Sequence, residues 1–385
     1  MKEHYLHHTN YLYTPGGMQR MIQLHLEGGK DRAISFRDAA PHQPESSSDA
    51  LCAELSTSVR RIRERYRNAV DSLKPAVSVY HNCWGVELVH DLDPAPCRVG
   101  FLHSDFPGFP GMLQHFAAYF DAFVNINPGL HQKSMELLPD WPKERFMLLD
   151  SPVELPAVVP EAGEGPSVIG IIGRIKREQK RLDRLPAFLT ACDQLLDKYE
   201  VHVLGSGDFE DELRRRLKGR TNVRFLGWLE GRAYWEAIRR WRYLLFMSDY
   251  EGTPLSLIEG AHAGLCAVYP DFHPGAPLPA GLTTENLYPP GNVTAAAHLI
   301  ARLEKAGSAM PSPLKTKELA GIHDPQYYLS RFHELLNPDQ LAALPALPDA
   351  RIRAGKSFPG WAPLSLYHMR TKRLRFGWRG IIRHS

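Results

Sequence analysis

Short apolar runs bounded by glycine, proline and polar residues alternate with segments of helical hydrophobic periodicity along most of the chain. The apolar runs predict strands over residues 4–8, 32–36, 76–80, 98–103, 122–126, 167–172, 200–204, 222–226, 243–247 and 265–269. Strands that alternate with helices are typical of parallel sheets, because a parallel strand needs a crossover connection. The predicted fold class is α/β.

One stripe of apolar residues, spaced three to four apart, predicts a long amphipathic helix over residues 51–73. Its members are Leu51, Leu55, Val59, Ile62, Tyr66, Ala69 and Leu73. The arginines on its other faces are expected to be solvated.

The length of 385 residues, with 43% hydrophobic residues, exceeds what a single hydrophobic core usually supports. The stretch DSPVELPAVVPEAGEGP, at residues 150–166, is too rich in proline and glycine to continue a helix or a strand. We therefore predict an N-terminal domain over residues 1–152, a linker over 153–166 and a C-terminal domain over 167–337. Residues 338–385 lose clear periodicity and are expected to form a tail.

The tail is basic, although the rest of the chain is not. From Arg351 onward there are nine Lys or Arg and no Asp or Glu, whereas the other 37 basic residues face 43 acidic ones. Aromatic residues lie among the cations of the tail, at Phe358, Trp361, Tyr367, Phe376 and Trp378. This composition predicts contact with an anionic membrane surface. A solvated extension and a segment folded back onto the domains are the alternatives. Nucleic acid would attract the same charges, but we expect no nucleic acid partner.

No run of about 18 apolar residues is present, and the start of the chain has no signal-like apolar region. We therefore expect a cytoplasmic protein, attached peripherally to the inner face of the membrane through its tail. Five scattered cysteines without a C-x-x-C motif predict reduced thiols rather than disulfides or a zinc knuckle.

The most informative stretch is MSDYEGTPLSLIEGAHAGLCAVYP, at residues 247–270. A buried strand gives way there to a helix, with Thr253 as the predicted N-cap and Pro254 in the first helical position. Unpaired backbone N–H groups at such a helix start, here those of Leu255 and Ser256, attract phosphate. Glu251 and Glu259 would repel that phosphate unless they face the hydroxyl groups of a sugar and a ribose. The stretch therefore suggests a sugar nucleotide as ligand.

A second stretch, VIGIIGRIKREQKRLDRL at residues 168–185, ends a strand at Gly173 and continues into cations. Arg174 and Lys180 can converge across the loop on one diphosphate. Because a departing diphosphate gains charge, these cations would stabilise the transition state more than the ground state.

These motifs resemble those of the retaining nucleotide-sugar glycosyltransferases of family 4, also called group 1, whose two facing Rossmann-like domains form the GT-B fold. The matches run in family order across residues 166–300: Gly173 and Arg174 with Lys180, V-L-G-S-G at 203–207, N-V-R-F-L-G at 222–227, and E-G-T-P-L-S-L-I-E at 251–259. The N-terminal half is similar through Pro15–Gly16–Gly17 and through His103 in F-L-H-S-D. The resemblance implies GT-B domains with parallel sheets, followed by the basic tail.

The resemblance also implies roles for the matching residues. Catalysis would depend on His103, Arg174, Lys180 and Glu251. Arg174 and Lys180 would hold the donor diphosphate, and Glu259 would bind the ribose hydroxyls. The remaining donor contacts would come from Gly16, Gly17, the backbone of Gly252, Thr253 and Leu255, and, beside the base, Leu229 or Trp228.

Retaining transfer in such enzymes is ascribed to front-face departure, in which the leaving phosphate helps to deprotonate the acceptor. The resemblance therefore implies a nucleoside-diphosphate sugar as donor substrate, with no cofactor and no metal. The acceptor implied is a glycan or lipid-linked saccharide in surface polysaccharide biosynthesis. Two departures concern loop shape: Arg181 replaces the usual glycine after the diphosphate lysine, and Gly260 replaces an alanine.

Other functions and sites remain open. A catalytically idle protein that binds sugar nucleotides and a phosphorylase-like or sucrose-synthase-like enzyme are the two alternative functions. A dehydrogenase is disfavoured, because G-S-G-D-F-E at 205–210 lacks the third glycine of a dinucleotide fingerprint. Asp91 and Asp93 imitate a metal-binding acid pair, but a solvated loop is favoured there.

Overall fold

Two parallel β-sheets organise the chain and confirm the predicted α/β class. The computed structural model describes residues 4–14, 16–38, 48–156, 167–272, 278, 282–306, 321–347 and 358–371. The chain divides into two compact units: Met1–Pro152 together with Pro325–Ser385, and Val153–Asp324.

The first unit contains a seven-stranded sheet in the order β3-β2-β1-β4-β5-β6-β7. Its strands are β1 (Tyr5–Thr9), β2 (Arg32–Ser35), β3 (Ser48–Ala50), β4 (Val77–His81), β5 (Cys97–Leu102), β6 (Ala122–Asn125) and β7 (Phe146–Leu148). The helices between them are α1 (Gly17–Glu27), α2 (Val59–Val70), α3 (Val86–Val89), α4 (Phe109–Phe116) and α5 (Pro128–Leu137).

The second unit contains a six-stranded sheet in the order β10-β9-β8-β11-β12-β13. Its strands are β8 (Ser167–Ile172), β9 (Tyr199–Leu204), β10 (Val223–Gly227), β11 (Tyr243–Leu245), β12 (Cys266–Pro270) and β13 (Leu287–Tyr288). Its helices are α6 (Leu185–Leu195), α7 (Glu210–Arg216), α8 (Gly231–Ile238), α9 (Leu255–His262) and α10 (Val293–Lys305).

Both sheets have the strand order of a doubly wound α/β fold. The order reverses between β1 and β4 in the first sheet and between β8 and β11 in the second. Ligands of such sheets bind outside the carboxyl ends of the strands at this reversal. In the second unit, that position is flanked by the segments that follow Ile172 and Leu245.

All the predicted strands are present, with ends moved by no more than two residues. The sequence does not predict β3, β7 and β13, which are two or three residues long and lie at sheet edges. Edge strands are often short because a long unpaired edge promotes aggregation. A strand of two or three residues is too short to show a hydrophobic period.

The predicted helix over residues 51–73 is wrong at its start, because α2 begins at Val59. The Ser58 hydroxyl accepts a hydrogen bond from the backbone N–H of Arg61, which makes Ser58 the N-cap. Upstream of it, the N–H of Leu51 donates to Ser35 and that of Ala53 to Phe36, so this segment continues the pairing with the sheet. The apolar spacing that links Leu51 to the residues of α2 therefore arises by coincidence, because it spans two separate elements.

The predicted C-terminal domain boundary at residue 337 is also wrong, because α11 (Pro325–Leu335) packs on the first unit. The Phe332 ring is fully buried and lies 4.2 Å from His25 and 5.0 Å from Tyr5, between ring centroids. The Tyr328 hydroxyl hydrogen-bonds to His25 at 3.0 Å. Burial of these aromatic rings anchors the helix to α1 and β1.

The described parts of the predicted tail also belong to the first unit. A short helix, α12 (Pro338–Ala342), follows α11, and residues 364–371 form α13. Residues 358–371 run along the start of α2, where the carbonyls of Gly360 and Ala362 accept the N–H groups of Arg60 and Val59. These contacts satisfy donors that a helix start leaves unpaired. This segment is therefore folded back, whereas Phe376 and Trp378 lie outside the described residues.

The predicted linker is partly structured. The backbone of Val153 donates to His323, and His262 Nε2 lies 3.0 Å from the carbonyl of Pro156, so residues 153–156 pack within the second unit. Residues 157–166 lie outside the described part of the chain. None of the helices in the described part has the length and hydropathy needed to cross a bilayer.

Truncation of Phe332 tests the assignment of α11. We expect Phe332→Ala to destabilise the first unit by about 3–5 kcal/mol, because it empties a fully buried ring site. Tyr327→Ala, on the same helix but 53% exposed, serves as the control and should change stability by less than about 1 kcal/mol. Hydrogen exchange of the β1 and α1 amides reports the effect. Equal exchange in the two variants would contradict the assignment.

Burial of His8 on β1 predicts acid sensitivity. Burial lowers the pKa of His8 from 6.5 to about 4. The unfolded chain therefore binds this proton first, and stability, complete above pH 6.5, falls as the pH approaches 4. By pH 5 the loss from this residue should be about 2 kcal/mol.

Urea unfolding at pH 8 and pH 5 measures this loss. His8→Gln removes the titration while keeping a group that can hydrogen-bond to the Tyr66 hydroxyl, 2.9 Å from His8 Nε2. We expect the variant to be less stable at pH 8 but less sensitive to acid. The same pH dependence in the variant and the wild type would refute this role of His8.

Candidate active site

The carboxyl ends of β8 and β9 approach each other so closely that glycine is required at Gly205. A Cβ added there would lie 2.0 Å from the Gly173 carbonyl oxygen, and the φ of Gly205 is 135°. Likewise, a Cβ at Gly207 would lie 2.3 Å from the carbonyl oxygen of Ile175. Hydrogen bonds from Gly173 to Leu204 and from Ile175 to Ser206 join the two segments. The G-S-G of 205–207 therefore fixes the path of the loop after β8.

That loop carries Lys180 to a carboxylate that follows β11. Lys180 Nζ donates to Glu251 Oε1 at 2.7 Å, and both side chains are mostly buried, with 17% and 5% of their surfaces exposed. The Ser248 hydroxyl donates to the same oxygen at 2.5 Å, and Gln179 lies 3.4 Å from Oε2. The structure thus brings together two of the predicted catalytic residues, across the reversal of the strand order.

Further ion pairs hold the two segments in place. The Arg181 guanidinium binds Asp183 and Asp249, which raises its pKa, chiefly through the hydrogen bond with Asp183. Arg184 donates to Asp249 and to the carbonyl of Met247. Arg181 adopts a left-handed backbone with φ 50°, and these contacts offset the strain of that conformation. An arginine can therefore occupy this position, where the family resemblance predicts glycine.

Arg174 differs from Lys180 in its environment. It directly follows Gly173 and is exposed, and it forms no hydrogen bond or ion pair with the described residues. Gly173, with φ 139°, packs against Lys180, whose Cε would lie 3.2 Å from an added Cβ. Hence one cation of the predicted pair is paired within the protein, and the other is available to an anion.

The second predicted feature is the start of α9. The helix begins at Leu255 with Pro254 in the N-cap position, so the predicted cap at Thr253 is off by one residue. The difference follows from the backbone of Pro254, which is extended at ψ 122°. Gly252 and Thr253 lie in the loop just before this start. The order of carboxylate, glycine and helix start is as the sequence predicted.

Glu259 lies on the buried side of α9 and is 8% exposed. It accepts a hydrogen bond from the Tyr234 hydroxyl of α8 at 2.5 Å. Leu229 packs beside these helices against the core of the second unit, whereas Trp228 is 47% exposed and donates its indole N–H to Glu230. The sequence does not predict Tyr234, Gln179 and Ser248, whose side chains hydrogen-bond to the two glutamates. Only the position of Ser248, directly after the strand predicted over 243–247, could have indicated one of them.

The remaining predicted residues lie in the first unit. Gly16 precedes α1, and Gly17 is its first residue; Pro15 lies outside the described residues. His103 directly follows β5, and its Nε2 lies 2.8 Å from Nδ1 of His81 at the end of β4. Burial lowers the pKa of His103 to about 3, so its imidazole is neutral near pH 7. It can donate or accept a hydrogen bond but carries no positive charge there.

Asp91 and Asp93 lie in the loop between α3 and β5, as predicted; Asp91 is exposed and Asp93 is half-buried. Asp91 forms a bidentate ion pair with Arg63, and Asp93 accepts hydrogen bonds from the hydroxyls of Ser78 and Tyr80, each at 2.7 Å. These contacts occupy the carboxylates and explain the two acids without a metal.

Comparison with known proteins bears on the second unit most directly. Residues 166–305 match the family described as "Glycosyl transferases group 1". We call this unit, which matches that family over residues 166–305, the group 1 domain. Among curated proteins, the chain is similar to the lipopolysaccharide 1,6-galactosyltransferases of Salmonella typhimurium (27% identity over 187 residues) and Escherichia coli K12 (26% over 238). The aligned regions cover 46% and 58% of this chain, and 50% and 62% of those proteins.

The fold of the group 1 domain and of the first unit recurs in solved structures. The lipopolysaccharide outer core galactosyltransferase WaaB, in its apo form, has a TM-score of 0.65 and 17% identity, over 87% of this chain and 99% of that one. Anabaena HepE, in complex with UDP and glucose, has a TM-score of 0.68 and 13% identity, over 89% and 100%. The predicted GT-B class and the family resemblance are thereby confirmed.

The close approach at Gly205 in the group 1 domain can be tested against Gly219. Both glycines have positive φ, but an added Cβ at Gly219 would meet nothing within 4 Å. We expect Gly219→Ala to lower the stability of this unit by about 1 kcal/mol through backbone strain, and Gly205→Ala by at least about 3 kcal/mol through the added clash. Urea unfolding followed by tryptophan fluorescence measures both. Equal losses would rule out the clash.

Proposed function

We propose that this protein transfers a glycosyl group from a nucleoside-diphosphate sugar to a saccharide acceptor of a surface polysaccharide or lipid-linked glycan. The observation that carries the proposal is the Lys180–Glu251 ion pair within the group 1 domain. Lys180 packs against Gly173, the residue before the exposed Arg174, and Glu251 lies in the loop that leads to α9. The galactosyltransferase names of the curated relatives support the reaction class.

The combined charge of Arg174, Lys180 and Glu251 suits a diphosphate ligand. Glu251 would repel a phosphate if it stood alone, but its ion pair with Lys180 removes that repulsion and holds the ammonium in a fixed place. Arg174 adds a guanidinium that can bind two oxygens at once. In the proposed reaction, both cations stabilise the negative charge that develops on the diphosphate as the bond to the sugar breaks.

The two carboxylates have separate roles in this proposal. Glu251 lies in the loop before α9 and would meet the transferred sugar, with the backbone of Gly252, Thr253 and Leu255 near the phosphate. Glu259 is held by Tyr234 through its Oε2. It would accept hydrogen bonds from the ribose hydroxyls, as carboxylate oxygens can.

We propose retention of configuration, with the leaving phosphate accepting the acceptor proton and without a metal at the diphosphate. The cations at Arg174 and Lys180 supply charge stabilisation that a metal ion provides elsewhere. In the first unit, Gly16 and Gly17 would approach the donor phosphate and His103 the transferred sugar. A neutral His103 fits this role, because it would hydrogen-bond to a hydroxyl without transferring a proton.

The proposed contact with an anionic membrane rests on the basic residues beyond Thr371. Within the described part of the tail, Arg370 pairs with Glu87 at 3.2 Å. Residues 372–385 add five cations, at Lys372, Arg373, Arg375, Arg379 and Arg383, which would attract anionic headgroups.

Substitution of the cations tests the reaction. We expect Arg174→Ala to lower kcat/KM with a UDP-sugar donor by at least about 100-fold, as loss of a group that stabilises charge in the transition state does. Because Arg174 is exposed, the melting temperature should not change. Lys180→Ala should be at least as damaging, but it also leaves Glu251 buried without its partner, so its melting temperature is measured too.

Lys176 provides the matched control. It lies in the same loop, pairs with Asp208 at 3.6 Å and is partly exposed. Lys176→Ala should stay within about threefold of the wild type, as surface charges usually do. The anomeric configuration of the product, read by proton NMR, should match that of the donor. Wild-type kcat/KM in both Arg174→Ala and Lys180→Ala would disprove the diphosphate assignment, and an inverted product would disprove retention.

A further inference from the structure

A cluster of two histidines and one aspartate lies buried in the first unit, and none of the three is among the residues assigned above to catalysis or donor binding. It consists of His7 on β1, His25 on α1 and Asp31 just before β2, which are 0%, 3% and 4% exposed. Their ligand atoms, His7 Nε2, His25 Nδ1 and a carboxylate oxygen of Asp31, all lie within 4.8 Å of one another. Three separate elements thus direct metal-ligating atoms at a common point.

Two nitrogens of this cluster have no hydrogen-bond partner among the residues that the structure describes. His7 Nε2 and His25 Nδ1 are both buried and unsatisfied, although Asp31 Oδ2 lies 3.8 Å and 3.4 Å away. Buried polar atoms nearly always have a hydrogen-bond partner. Two unsatisfied nitrogens that face the same carboxylate therefore need an explanation. The longer distance exceeds that of a hydrogen bond.

Each of the three side chains uses its other polar atom in a hydrogen bond, as metal-ligating side chains do. His7 Nδ1 lies 3.1 Å from His81 Nε2, and His25 Nε2 lies 3.0 Å from the Tyr328 hydroxyl. Asp31 Oδ1 accepts the backbone N–H of Tyr5 at 3.2 Å. Ligating imidazoles typically use their second nitrogen in this way, which fixes the tautomer and the ring orientation.

We propose that His7, His25 and Asp31 bind one divalent transition metal ion, with Zn²⁺ as the best match. Ligands about 2.1 Å from a tetrahedral Zn²⁺ lie about 3.4 Å apart, close to the separations between Asp31 and the two imidazoles. Imidazole and carboxylate ligands suit Zn²⁺, and the two orphan nitrogens would supply the lone pairs.

The ion would serve structure rather than the transfer reaction. The Phe332 ring of α11 covers the cluster, 4.2 Å from His25 and 5.8 Å from His7 between centroids, and the Tyr328 hydroxyl of the same helix binds His25. The ion would therefore join β1, α1 and the start of β2 beneath this C-terminal helix. Such a site stabilises the folded state, because the unfolded chain does not hold the ligands together.

Metal content tests the proposal directly. The full chain, expressed without a polyhistidine tag, is stripped with a chelator, incubated with Zn²⁺ alone, desalted and analysed by plasma mass spectrometry. We expect about one Zn²⁺ per chain and a melting temperature that rises when Zn²⁺ is restored. Less than about 0.1 Zn²⁺ per chain, with an unchanged melting temperature, would overturn the proposal.

Neighbouring histidines supply the matched variants. His7→Gln removes a ligand, whereas His8→Gln alters an equally buried histidine on the same strand whose Nε2 contacts Tyr66 instead. We expect His7→Gln to lose the bound Zn²⁺ and the thermal shift, and His8→Gln to keep both. Equal Zn²⁺ retention by His7→Gln and the wild type would place the ion elsewhere and refute the site.

The wild type alone decides the matter if His7→Gln fails to fold. X-ray absorption at the zinc edge should show two imidazole nitrogens and oxygen, at about 2.0–2.2 Å. Sulfur ligands would refute the site. Neither measurement involves a sugar donor, so failure of the proposed transferase activity would leave this test intact.

Discussion

The Lys180–Glu251 ion pair is the buried contact that holds the two loops of the candidate site together. Two charges buried to this extent are stable only together, since removing either leaves the other unpaired in a medium of low dielectric constant. The pair also joins the loop after β8 to the segment after β11, the two strands on either side of the strand-order reversal. The same contact therefore places an ammonium at the strand-order reversal, where ligands of doubly wound sheets usually bind.

The surrounding contacts explain why this loop keeps one shape. Gly205 and Gly207 let its backbone pass against β9, and Arg181 and Arg184 fasten it to Asp249. A loop held at both ends loses less conformational entropy when it binds a ligand. Arg174 is the exception, since it is exposed and would become ordered on the diphosphate in the proposed reaction.

The first unit is stabilised differently, around histidine-rich strand ends. His7 and His8 are adjacent on β1 but face opposite sides: His7 contacts His25 and Phe332, and His8 stacks on Tyr80. Helix α11 packs on the side of the sheet that His7 faces. Residues far apart in the chain therefore belong to one core. If His7 Nε2 binds a metal, its remaining proton lies on Nδ1 and faces His81. His81 would then donate to His103 and fix the tautomer of that residue.

The sequence by itself determined the α/β class, most strands and the order of the donor motifs, because hydrophobic periodicity and turn chemistry are local properties. Through the family resemblance, it also predicted that Lys180 and Glu251 lie close together, which their ion pair confirms. Their direct pairing, and the support from Tyr234 and Ser248, were decided only by the tertiary structure, since these residues are brought together by crossovers of many residues. Likewise, α11 has the same amphipathic pattern whichever unit it packs on. Only the aromatic contacts of Phe332 and Tyr328 assign it to the first unit.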